Sequence, residues 1–440
     1  MDNTAIMPER MLTQLEADVL AERYSGEPDW LSDARSEGLL KYQDLPLPTT
    51  RLEEWRYTDP SKLKWDRVSL ATRDTSDAPA AAAIGYAADI AFSARVVQSG
   101  ARIVSIEVPT ELIEQGVVVM DLADAAREHG DLVQKHLYQA APASVDRFAA
   151  ANAALWTAGV FVHVPAGVEI EAPIRIIRCI DEDAALAYFP RTLIVAEDNS
   201  NFGVVEEFVS PDFQNACFNC GVVEAFAGVG AKVQYVALQR WGHNVHHLGM
   251  QRTFAQRDSK LDTLVVNLGA SVSRVDLAAS LKGPGARSDM LGLYFAQGDQ
   301  HFDHSTRQNH EVPHAVSDLL YKGALDGKGR SVFRGLIKVF PKAQRTDAYQ
   351  TNNNLLLSRT AEATSLPNLE IEADDVRCSH AATVGQLDKE ELFYIMSRGI
   401  ARREAERLVV FGFFGDVLDR LPLPGVVREL RAAIAQKIAG

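Results

Sequence analysis

The sequence predicts a mainly β protein: a parallel β-helix, or a similar solenoid, with helical regions at both ends. Three observations carry this expectation. From Gly159 to about Leu357, valine, isoleucine and leucine alternate with polar residues in runs of five to eight, with no long helical window between them. Within that stretch a polar or glycine turn feeding a strand recurs, at Asn199–Glu206, Gly228–Tyr235, Asp258–Val265, Gly283–Met290 and Gly327–Arg334. Three of the four gaps lie between 25 and 30 residues, and the last is longer by about one strand pair. Finally, tight two-residue hairpin turns are scarce. A recurring unit that cannot bury its own face stacks on its neighbours. A β-sandwich also suits regularly spaced strands, but the near-constant turn spacing favours a coil.

The elements follow in order. Met11, Leu12, Leu15, Val19 and Leu20 form one apolar helical stripe. A turn at Ser25–Pro28 precedes a second helix starting near Trp30, and two prolines hold Asp44–Thr50 extended. Glu53–Thr58, EEWRYT, is a compact aromatic and charged cluster that reads as a packing element. Residues 74–84 are alanine-rich and read as a linker or loop. Short strands fill about 85–120, and helical runs cover Asp121–Ala140 and Ser144–Thr157. After the strand-rich body, Asp388 and Glu391 mark a capped helix start at Lys389, and Gly399 marks its stop. A second helix from Ala401 to about Leu418 presents Ala405, Leu408, Val409 and Phe411, and a third spans Val426–Ile438. The implied divisions are 1–157 (helical and mixed), 158–386 (β-helix) and 387–440 (helical). Both helical regions are expected to cap the solenoid, since an uncapped end is a template for aggregation. The last one carries enough apolar material to serve also as a docking surface.

Composition bounds the function. The chain has 440 residues, is 47% hydrophobic and 24% charged, and carries a net charge of −14. That charge argues against nucleic acid or an anionic membrane as the main partner. Its four cysteines, Cys179, Cys217, Cys220 and Cys378, are too few and scattered for a disulfide framework. No window approaches the roughly 18–20 apolar residues of a membrane span, and the N-terminus lacks the pattern of a signal peptide. These features point to the cytoplasm.

Several constellations compete for chemistry. Cys378 and His380 stand two apart where an extended run, Leu369–Glu372, gives way to the helical tail. Residues at i and i+2 share one face of a strand, so thiol and imidazole side by side would make a soft metal site or an activated thiolate. Two ligands do not complete a structural zinc site, so further ones must come from elsewhere. Cys217 and Cys220 form a CxxC, but inside a strand they face opposite ways. His243, His246 and His247 read as lying in a turn. His301, His304, His310 and His314, with Asp303 and Glu311, would converge on a metal only if part of their segment were a loop. No phosphate-binding loop and no nucleophile elbow is present.

Longer motifs carry a resemblance. Phe333-Arg-Gly-Leu-Ile-Lys-Val, Ala343-Gln-Arg-Thr-Asp-Ala-Tyr-Gln, Asn354-Leu-Leu-Leu-Ser, the run from Pro367 to Gly385, and Leu392-Phe-Tyr-Ile-Met-Ser-Arg-Gly-Ile are similar to the SufB/SufD family of iron–sulfur cluster assembly proteins. Glu54–Thr58 and Asp374–Gly385 resemble the D-type branch, and Ala381 departs from it where many relatives carry glycine. The resemblance spans roughly 45–420. It implies a right-handed parallel β-helix that acts as a non-catalytic scaffold. It implies as partners a SufB-like sister subunit, at the β-helix end, and a SufC-like ABC ATPase, at the C-terminal helices. It also implies a transient iron–sulfur cluster or iron at the partner interface, with nothing tightly bound to the isolated chain. His380 and Cys378 match the interface positions, with His380 the better candidate ligand. A purely structural tether and a stand-alone metalloenzyme built on His301–His314 are the rival readings. Homodimer formation by the isolated chain, and flavin binding, stay open.

Overall fold

The computed structural model describes residue 20 and residues 24–71, 91–421 and 423–439. The stripe from Met11 to Val19 and the alanine-rich segment at 74–84 lie outside them. The architecture is the predicted one, a β-solenoid of about eight turns, 42% strand and 24% helix, with helices before and after it. Each coil contributes one strand to each of two parallel sheets, of 11 and 10 strands. The first sheet ends in His301–His310, Arg330–Val339 and Glu362–Ile371. The second ends in Val316–Leu325, Asp347–Leu356 and Arg377–Gln386. Successive strands pair in register without slippage, so inward positions stack into columns along the rod.

The coil is set by a ladder of turns. Gly167, Asn199, Gly230, Asp258, Gly285, His314 and Arg345 all have positive φ, between 57° and 78°, and recur every 27 to 32 residues. Where Asn199, Asp258 and His314 occupy such a corner, the N–H reaches the carbonyl of the next coil at 2.8, 3.0 and 3.0 Å. Four of the five turns read from sequence belong to this ladder. The fifth, at Gly327, feeds Arg330–Val339 in the other sheet. Its place in the ladder is taken by His314, a non-glycine residue in a left-handed conformation that composition does not announce.

The two ends differ. At the N-terminal end each sheet finishes on an antiparallel strand, Arg102–Glu107 and Val118–Asp121. The helix Arg147–Leu155 is buried from Phe148 onward and packs with the helix Asp29–Asp44 on the outer face of the first sheet. A buried ion pair fastens it there. Arg191 Nη2 lies 2.5 Å from Glu224 Oε2, both side chains fully shielded. Arg191 Nη1 also donates to Asn152 of the helix at 2.9 Å, and Glu224 accepts the N–H groups of Tyr138, Ala140 and Ala141.

At the other end the expectation of a helical cap fails. After the helix Lys389–Ser397, the helices Arg402–Leu418 and Pro424–Ala439 turn back along the side of the rod. Val410, Phe414, Val417, Val426, Leu430 and Ile434 pack on Val236, Leu264, Leu291 and Leu293, the outer face of the second sheet. That face is apolar enough to hold them, so hydrophobic burial favours the side over the end. The buried stripe of the middle helix is Ala405, Val410, Phe414 and Val417, and Leu408 is exposed. Glu362–Ile371 and Arg377–Gln386 therefore form an open last rung, each paired on one side only.

Candidate metal centre on the open rung

Parallel in-register pairing decides where the two candidate ligands point. Cys378 pairs with Ala348, and His380 with Gln350. Ala348, Gln350, Asn352 and Asn354 are the buried, inward positions of their strand. Cys378 and His380 thus stand on the lumen side of the last coil, beyond which no strand of the described residues follows. Cys378 is half-buried against the cluster of Ile337, Val339 and Ala348. That burial pushes its thiol up from the usual value, and the Asp347 carboxylate adds to the effect. His380 is exposed. Asp374 and Asp375 are exposed as well. Asp375 belongs to the turn ladder: its N–H donates to Gln344 Oε1 at 2.9 Å, and its carboxylate lies 3.5 Å from Arg345 Nε. Around the rung, Tyr349, Ile371 and Val384 are exposed, and so are Phe393 and Tyr394 of the helix that follows it in the chain.

The other constellations come apart. Among the described residues no group of three or more His, Cys, Asp or Glu side chains is placed to hold a metal. His301–His310 is a continuous strand, so alternation sends His301 and Asp303 outward and His304 and His310 into the lumen. His304 is bonded to Asn267 at 2.7 Å and stacks on Tyr294, while His310 meets Ser317 Oγ at 2.7 Å. His314 sits in a turn. His246 and His247 are strand residues too, and only His243 occupies the turn. The CxxC is divided as alternation predicts. Cys217 faces the solenoid core, and Cys220 lies under Phe148 of the N-terminal helix. Burial raises both thiols.

Sequence reasoning treated Glu53–Thr58 and His301–Asp303 separately, and the structure joins them. The Thr58 hydroxyl lies 2.8 Å from His301 Nε2 and donates to Asp303. Asp303 pairs with Arg274, whose guanidinium lies 4.2 Å from the Trp55 ring centre. This node straps the N-terminal segment to the first sheet. The contact spans 243 residues, so no local signal could have shown it.

What remains is a β-solenoid with a two-donor site on an unpaired edge. Comparison with known proteins gives this a context. Residues 178–413 match the family described as "SUF system FeS cluster assembly, SufBD core domain", and residues 12–176 match "SufBD protein N-terminal region". The chain belongs to the SufB/SufD family of iron–sulfur cluster assembly proteins. It is 32% identical to the iron–sulfur cluster assembly protein SufD of Bacillus subtilis, over 94% of this chain and 95% of that one. To SufB of the same organism it is 27% identical, over 98% and 94% of the two chains. A SufBD family protein of Staphylococcus haemolyticus is 28% identical over 92% of this chain and 89% of its own. The core match includes the open rung and runs into the second C-terminal helix. Among the described residues no helix is long and apolar enough to cross a membrane.

Proposed function

We propose that this chain is a scaffold subunit of an assembly of the SufBCD kind, without catalysis of its own. A SufB-like sister subunit continues the sheets from the open rung, and a SufC-like ABC ATPase docks on the C-terminal helices. His380, with Cys378 beside it, offers ligands to iron or a nascent iron–sulfur cluster at that seam, in a cytoplasmic setting. The observation that supports this reading is the placement of Cys378 and His380 on a lumen-side edge left bare by helices that could have covered it. A neutral imidazole and a thiolate are fitting donors for iron, and two donors alone leave open positions for the partner's side chains and for sulfide. The ATPase supplies motion. Closure of a nucleotide-bound pair pulls on the helical tails and shears the seam, so that the covered ligands become reachable.

Anaerobic purification with iron and sulfide analysis tests the reading. Metal is expected in the complex with the sister subunit and not in the isolated chain. Replacing His380 with alanine is expected to lower cluster yield in the complex. Unchanged yield removes His380 from the mechanism, and absence of iron from every complex leaves a structural tether.

A further inference from the structure

The lumen directly beneath the open rung holds an unexplained amide. Gln350 is fully buried, yet among the described residues neither its Nε2 nor its Oε1 has a partner. Its side chain crosses the lumen to the opposite strand: a Cβ built on Gly335 would lie 2.3 Å from Gln350 Oε1. Only glycine at 335 leaves room for it. The column that carries Gln350 runs Leu319, Gln350, His380, so the amide is the first polar group below the imidazole. The neighbouring column runs Ser317, Ala348, Cys378. Ser317 is bonded to Gln308 Nε2 and His310 Nε2, at 2.7 Å each. Gln308 Oε1 and His310 Nδ1 are buried and unpartnered, like the amide. A floor with four unused polar atoms thus underlies the two candidate ligands. Buried polar groups without partners are disfavoured; these four lie in the rung below His380 and the one below that, and the lower rung also holds the unpartnered Tyr321 Oη and His304 Nδ1.

We infer that Gln350 is a positioning residue for His380. The inference rests on the proposed role of His380 as a ligand. When a partner closes the rung, water leaves the imidazole, and the ring nitrogen that does not bind metal needs an acceptor for its N–H. The Gln350 carbonyl oxygen, one coil below, takes it. This fixes the tautomer and aims the other nitrogen at the seam. Ligating histidines elsewhere are held in the same way by a second hydrogen-bonded group.

The test uses the complex of this chain with its sister subunit, loaded with one equivalent of Cu2+ as a paramagnetic probe. Electron spin echo modulation reads the remote nitrogen of a bound imidazole, whose quadrupole coupling reports its hydrogen bond. The wild type is expected to show this modulation and His380→Ala to lose it. In Gln350→Leu the coupling is expected to shift and Cu2+ affinity to weaken, roughly 10- to 100-fold, while Gln350→Glu keeps an acceptor, retains Cu2+ affinity and moves the coupling in the opposite direction, towards a stronger hydrogen bond. Gln350→Met, closer in shape, repeats the measurement should the leucine variant misfold. Coupling and affinity unchanged in Gln350→Leu and Gln350→Met, with His380→Ala silent, would overturn the inference and leave His380 as a ligand. A wild type with no imidazole modulation overturns both.

Discussion

Acid should loosen this protein well before its carboxylates are fully protonated, because four histidines are buried in it, His247, His304 and His310 in the lumen and His246 between the first sheet and the N-terminal segment. Burial lowers His246, His304 and His310 to about 4 and His247 to about 3. Geometry agrees for His247, whose Nδ1 accepts from Asn219 Nδ2 at 3.0 Å and from Trp241 Nε1 at 3.3 Å, so a proton there would displace both donors. The unfolded chain binds these protons near pH 6.5. Since the folded values lie below the unfolded one, the contribution is present above pH 6.5 and is lost as pH falls towards 4. Going from pH 7 to pH 5 costs about 2 kcal/mol per ring, and roughly 7–8 kcal/mol for all four. That approaches the whole stability of an ordinary domain. Urea unfolding followed by circular dichroism at half-unit steps from pH 7.5 to 4.5 measures it. The slope of stability against pH is expected to reach three or more protons near pH 5, and His304→Asn to remove about one of them. A midpoint that stays flat down to pH 5 would refute the picture of neutral, desolvated rings.

Three further outcomes follow from packing and burial. Native alkylation with iodoacetamide should add one label, at Cys378. Cys179, Cys217 and Cys220 are buried and their thiols are raised, that of Cys179 to about 12; two or more labels by mass spectrometry would contradict this. Arg191→Ala strands Glu224 as a buried unpaired charge and should cost about 3–5 kcal/mol, whereas Arg191→Met with Glu224→Gln, which removes the charge and keeps an acceptor for the N–H groups of Tyr138, Ala140 and Ala141, should recover part of it; thermal unfolding decides. Phe414→Ala opens a cavity between the second C-terminal helix and the second sheet. It should cost about 3–5 kcal/mol of docking and packing, seen as faster limited proteolysis beyond residue 400 with the solenoid left intact.

The coil could be read from the sequence because its turns repeat and its strands alternate, and both are local signals. Asn199, Asp258 and the glycines at 230 and 285 take left-handed corners that their residue types favour. Arg345 takes the same corner against type, and His314 takes it without a glycine, asparagine or aspartate to mark it, so the last turns escaped a composition-based reading. Cys217 and Cys220 were separable in advance because period-two alternation is all that matters there. The histidines were harder. Whether His304 is a ligand or a lumen residue depends on Asn267, which lies 37 positions away, and no spacing rule reaches that far. The direction of the C-terminal helices was hidden for a different reason. An amphipathic stripe says that a helix packs, and only the outward face of Leu264, Leu291 and Leu293 says where. Gln350 was also out of view, since its meaning comes from standing 30 residues before His380 in a coil of about that length.

An exposed parallel edge is a hazard that proteins usually blunt, and the two strands of the last rung are not equally blunted. Glu362–Ile371 carries Pro367 at its centre, which has no N–H to give, and acidic residues at Glu362 and Glu370. Arg377–Gln386 has no proline and keeps every backbone donor and acceptor along its ten residues. An incoming strand can therefore extend the second sheet with a complete ladder, whereas on the first sheet it meets a gap. The strand best able to be continued is the one that carries Cys378 and His380, and its inward positions open on the lumen. In the proposed complex, sheet continuation there would lay the partner's next coil over the imidazole and the thiol, so a single event would form the seam and close the site. A ligand pair on the proline-bearing strand, or on the outer face of either one, would not be enclosed by the same step. Edge chemistry and ligand placement thus favour the same strand for independent physical reasons.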